Sequence, residues 1–125
     1  MKNESKDLNQ EFWGKPISVY TSKQAEKDGV FWDVDIITAV TIPKNFFLKY
    51  ITSNLMAQGY EKADGSLNAV NLLDLLQQLS RIFKKKKVDD YFVSGRIELP
   101  SSHKQKVFIA QNETGRYTAM LPEDY

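Results

Sequence analysis

At Asp90 the hydrophobic repeat of this chain changes from about 3.6 residues to 2, and that switch constrains the fold more than any other feature. Upstream, Ala69, Val70, Leu72, Leu73, Leu76, Leu79 and Phe83 recur at helical spacing, with Leu75 and Ile82 widening the stripe. Ser66 is placed to cap this helix and the four lysines Lys84 to Lys87 to close it, so the spacing predicts a helix over about 66–87. Downstream, Tyr91, Val93, Ile97 and Leu99 alternate with Phe92, Ser94, Arg96 and Glu98. Val107 and Ile109, then Tyr117, Ala119 and Leu121, repeat the alternation. The predicted strands cover about 90–99, 106–111 and 116–121, joined through Pro100 to His103 and Asn112 to Gly115, loops short enough for antiparallel hairpins. Helices followed by a meander imply an α+β fold, with helices on one face of a three-stranded antiparallel sheet.

The first half of the chain supplies further predicted elements. Leu8, Phe12 and Trp13 share a helical face over about 7–13, ended by Gly14 and Pro16, with Trp13 as an anchor on the body. Ile17, Val19 and Tyr20 form a brief extended run that could add a short strand to the sheet. Thr21 and Gln24 have capping-box spacing, which starts a helix over about 22–28, and Gly29 stands where a left-handed terminator is wanted. From Val30 to Ile37 two readings stay open: a strand with Asp33 and Asp35 on one face, or a turn with Asp35 as a cap. Pro43 followed by Phe46, Phe47, Tyr50, Ile51 and Leu55 predicts a helix over about 43–58, terminated by Gly59. Ala63 to Gly65 reads as a turn.

Length and composition limit the classes that remain. A chain of 125 residues with 42% hydrophobic and 26% charged residues suits a single α+β domain over 1–125, with 1–6 frayed. No run approaches the ~18 apolar residues of a spanning helix, and MKNESKDLNQ has no hydrophobic signal core, so the expectation is a soluble, cytoplasmic protein without a membrane partner. With no cysteine and one histidine, His103, sulfur-based zinc sites, thiolate nucleophiles and His-rich metal clusters are excluded. A net charge of +1 gives no global attraction to nucleic acid.

The run YTxxQAxxDGVxxDV, here Tyr20, Thr21, Gln24, Ala25, Asp28, Gly29, Val30, Asp33 and Val34, resembles the signature of a family of small uncharacterised proteins of bacteria, plasmids and phages. Phe12, Gly14, Pro16 and Ile17 near one end, and the MLP-acidic ending Met120 to Asp124 at the other, extend the likeness. Between Thr41 and Tyr60 the chain departs from it, with two phenylalanines where the family has a Thr-Arg-x-x-Trp-like helix. The resemblance implies a mobile-element habitat and no assigned activity.

The candidate chemistry is sparse. Asp28, Asp33 and Asp35 supply oxygens of the kind hard cations want, but their spacing matches no calcium loop, and neither a metal nor a cofactor is expected. His103 sits in a polar turn facing water. No glycine-rich phosphate loop occurs. Three readings remain. The first is a non-catalytic interaction protein, monomer or homodimer, that binds a host or phage protein and inhibits a host machine such as a defence nuclease complex. It would dock through the sheet face bearing Phe92, Arg96, Phe108 and Met120, with Phe12 and Trp13 folding over that face as the alternative. The second is a weak nucleic-acid binder using Arg81, Lys84, Lys85, Lys86 and Lys87. The third is a small enzyme of unknown reaction around Tyr20, Asp28 and Asp33.

Overall fold

A computed structural model describes residues 29–125. The expected elements at 7–13, 17–20 and 22–28, the capping box, and the docking of Phe12 and Trp13 lie outside the described residues. The described chain is α+β: β1 (Phe31–Asp33), β2 (Leu48–Thr52), α1 (Ser53–Met56), α2 (Ala69–Lys84), β3 (Phe92–Glu98), β4 (Lys104–Gln111) and β5 (Tyr117–Met120). Short 3-10 turns follow β1 at Val34–Ile36 and β5 at Pro122–Asp124.

The sheet has five strands in the order β1-β2-β5-β4-β3, not the three antiparallel strands the alternation predicted. The meander β3-β4-β5 is present and antiparallel throughout, but β2 adds to β5 in parallel and β1 extends β2 in antiparallel sense. A parallel neighbour distant in sequence leaves no hairpin signal, which is why the pairing was not legible.

The predicted helix over 43–58 is replaced by β2 and the single turn α1. The pairing of β2 with β5 shifts register between Leu48 and Tyr50, so Leu48 pairs with Tyr117 and Tyr50 with Thr118. That bulge turns Leu48 and Ile51, three residues apart, toward the same side, and both are fully buried. Three-residue spacing with Leu55 four further on imitates a helix face, while the aromatic and β-branched run itself favours a strand. Asn45, with φ 59°, turns the chain into β2. Thr52 then ends the strand and caps α1, accepting from Leu55 N–H at 3.3 Å.

Helix α2 is shorter than expected at both ends. Asn68, not Ser66, is its N-cap, accepting from Asn71 N–H at 3.1 Å, because Ser66 is held by Asp64 in the preceding turn. The helix buries Leu72, Leu75, Leu76 and Leu79, each contributing about 1.5–3 kcal/mol as an upper figure. Val70 and Leu73, assigned to the stripe by spacing, are exposed at 79% and 45%.

Cross-strand partners divide the sheet residues between two faces. Trp32, Ile51, Ala119, Ile109 and Val93 form one row across all five strands, on the side that α2 covers. There a Cβ on Gly95 would lie 2.8 Å from Ile82 of the helix, so glycine sets how closely helix and strand approach. Asp33, Tyr50, Thr118, Ala110 and Phe92 form a row on the second face, with Met120, Phe108 and Ser94 beside it. Tyr91, expected under the helices, lies just before β3 and is 64% exposed.

Candidate functional site

Of the run from Tyr20 to Val34, the residues from Gly29 onward are described, and they connect the chain to the start of α1. Gly29 has φ 79°, the left-handed conformation its sequence position called for. Its carbonyl accepts from Ser53 Oγ, and Val30 C=O accepts from Ser53 N–H at 2.7 Å, which ties the segment to the start of α1. Strand and turn both occur in Val30 to Ile37: Asp33 ends β1 and caps the 3-10 turn by accepting from Asp35 N–H at 2.9 Å. The cap is thus Asp33 rather than Asp35.

Both aspartates are engaged by cations. Lys49 Nζ lies 3.0 Å from Asp33 and 3.1 Å from Asp35, and Arg116 donates through both terminal nitrogens to Asp35 at 2.8 Å. Arg116 also donates to the carbonyls of Phe46 at 2.9 Å and Leu48 at 2.8 Å, so one side chain joins the ends of β2 and β5 to the turn after β1. The guanidinium, followed by Lys49, holds the Asp35 carboxyl down at about 2. Burial lowers Lys49, and its hydrogen bonds to Asp33 and Asp35 outweigh that, leaving the ammonium above its ordinary range. Such a network neutralises the carboxylates that a cation would need. Among the described residues no cluster of three or more His, Cys, Asp or Glu side chains is placed to hold a metal ion.

The lysine cluster is divided by the helix end. Arg81 and Lys84 line a groove of about 490 Å³ with Ile42, Pro43, Phe46 and Leu73. Lys85 is the C-cap of α2 and, with Lys86, lines a separate cleft of about 290 Å³ against β3. Lys86 also sits over the Phe83 ring at 5.5 Å and donates to the Lys87 carbonyl at 2.9 Å. His103 is exposed in the β3-β4 turn, its Nδ1 3.1 Å from Ser101 Oγ.

The second sheet face does bring Phe92, Arg96, Phe108 and Met120 to one side, because even-numbered positions of β3 pair with even-numbered positions of β4. Phe92 is 39% exposed, Phe108 half-buried and Met120 buried, while Arg96 points to solvent. Tyr125, which sequence reading left unassigned, completes a cluster: its ring centroid is 5.2 Å from Phe92 and 5.6 Å from Phe108, and those two are 4.9 Å apart. The 3-10 turn at Pro122–Asp124 delivers Tyr125 there, anchored by Asp124, which accepts from Thr52 Oγ at 2.8 Å and Asn54 Nδ2 at 2.7 Å. Lys106 lies over Phe108 at 5.7 Å. All three ring pairs meet edge to face. Comparison of the chain with family models, with curated proteins and with solved structures finds no match.

Proposed function

We propose that this chain is a non-catalytic protein-interaction module whose docking surface centres on Phe92, Phe108 and Tyr125. The observation that carries the reading is the cluster itself: three aromatic rings in mutual contact on a sheet face, Tyr125 77% exposed, rimmed by Arg96 and Lys106. Aromatic and arginine side chains with a polar rim are the composition of interface centres. The motif resemblance supports a mobile-element origin and, with it, a host protein as partner, a defence nuclease complex being the specific case. That no described helix is long and apolar enough to cross a membrane fits a partner met outside the bilayer.

A second reading has an observation of its own. Phe92 and Arg96 share their cleft with Lys85 and Lys86, which sets cations beside the strand that carries the aromatic cluster, the pairing of charge and rings that single-stranded nucleic acid requires. The protein reading is preferred because the rings meet edge to face, so they engage one another instead of presenting parallel flat surfaces to bases. The cations, moreover, are shared between two sides of the helix end.

Affinity capture from host lysate with the wild type and with Phe92→Ser/Phe108→Ser compares the two directly. A specific protein retained by the wild type and lost by the variant is expected. A salt-sensitive shift of single-stranded DNA, abolished by glutamine at Arg81 and Lys84 to Lys87 and indifferent to the phenylalanines, would put nucleic acid first.

A further inference from the structure

Among the described residues β3 is an edge strand with its outer side open for most of its length, and the hydrogen bonds show which of its residues face outward. Tyr91 C=O accepts from Gln111 N–H and Leu99 N–H donates to His103 C=O, each at 2.9 Å, so the odd-numbered backbone groups point inward to β4. In an antiparallel ladder the groups of alternate residues point to opposite sides, which sends those of Phe92, Ser94, Arg96 and Glu98 outward. Glu98 confirms it. The side-chain amide of Gln78, on α2, accepts from Glu98 N–H at 2.8 Å and donates to Glu98 C=O at 3.0 Å, pairing with the edge as a neighbouring strand would. No described residue does the same for Ser94 and Arg96, and β3 ends the strand order. An edge of this kind is a template for strand addition unless something blocks it.

From this edge we infer that the stretch Phe92–Arg96 takes up an extended acidic segment of a partner protein as a sixth strand. This rests on the interaction reading above and names the partner's chemistry. The segment would lie in the cleft between the end of α2 and β3, with Lys85 and Lys86 on one wall and Arg96 on the other. Asp90 is the acidic residue of that cleft and accepts from Lys87 N–H at 3.1 Å, so the lining sets three cations against one carboxylate and keeps a positive balance toward the incoming strand. Alternation sends every second side chain of the added strand toward Ile82 and the lysines, and the others toward Phe92 and the aromatic face. Acidic residues are therefore expected at alternate positions, with apolar residues between them.

The probe is a fluorescein-labelled heptapeptide, Thr-Val-Glu-Val-Glu-Val-Thr, tested by polarisation and by NMR on the full labelled chain. Saturable binding is expected, with amide shifts and slowed exchange at Ser94 and Arg96, and with at least tenfold weakening by Lys85→Glu/Lys86→Glu. Ser94→Pro removes an outward donor that the ladder to β4 does not use, so it should preserve the fold and abolish binding. Should Ser94→Pro unfold the chain, the same peptide N-methylated at alternate residues serves instead, and must fail to bind. Equal binding of a lysine-for-glutamate peptide, undiminished binding of the N-methylated one, shifts confined to the groove of Arg81 and Lys84, or no binding at millimolar peptide would overturn the inference. A captured partner that is lost by Phe92→Ser/Phe108→Ser but kept by Ser94→Pro would leave the interaction reading standing and remove strand addition alone.

Discussion

Asp35 and Arg116 show how much a single ion pair can organise when its donors also reach backbone. Arg116 uses its two terminal nitrogens on Asp35 and still satisfies the carbonyls of Phe46 and Leu48. Because the folded carboxyl is depressed to about 2, its contribution to stability is fully present above the unfolded carboxylate range and is lost as pH falls through about 2. Asp35 is half-exposed, so solvent screening keeps that contribution small. Carboxyl-detected NMR titration should give Asp35 a midpoint near the depressed value, moving up toward the ordinary range in Arg116→Ala. That variant should also lose roughly 1–3 kcal/mol, since two carbonyls lose a charged donor. Tyr60 presents the opposite case: it is fully buried, its hydroxyl has no hydrogen-bond partner among the described residues, and burial, with Asp74 adding to it, pushes it up to about 12. Tyr60→Phe should leave the unfolding free energy unchanged or raise it by up to about 1 kcal/mol in a denaturant melt, and a clear loss would show that the hydroxyl is satisfied. Neither feature was legible in the sequence. The left-handed conformation of Gly29 was, because a positive φ is a local demand, whereas Arg116 meets Asp35 only once the sheet has formed.

Among the described residues the two hairpins, whose determinants are local, match the alternation in the sequence, and β2, which depends on a distant partner, does not. The hairpins β3-β4 and β4-β5 follow from alternation and from turn residues such as Gly115, with φ 84°. In sequence β2 imitates a helix because its bulge places Leu48 and Ile51 on one side, a spacing that only pairing with β5 explains. Periodicity places the exposed Val70 and Leu73 in the core because it cannot say how wide a stripe the sheet covers. Packing of α2 on the sheet makes its own prediction. Gly95→Ala should cost about 1–3 kcal/mol in denaturant unfolding, because its Cβ would press on Ile82, and Ile82→Ala in the same chain should cancel most of that specific cost. Simple additivity of the two losses would mean that helix and strand do not meet there.

Over the described molecule, the helix covers one sheet face, while the other gathers Phe92, Phe108 and Tyr125 beside the open edge of β3. The sequence pointed to Phe92, Arg96, Phe108 and Met120 through alternation alone, and the structure sets all four on one face with Met120 buried among them. It did not point to Tyr125, whose place depends on Asp124 reaching Thr52 and Asn54 across the fold. If the cluster is a docking surface, its rings contribute to binding more than to folding. Equilibrium urea unfolding of Phe92→Ser/Phe108→Ser measures this most directly. A docking surface predicts a folded variant that has lost no more than about 1.5–4.5 kcal/mol, the worth of the three ring contacts alone. A loss of about 6 kcal/mol or more, as two core phenylalanines would cost, or failure to fold at all, would contradict it.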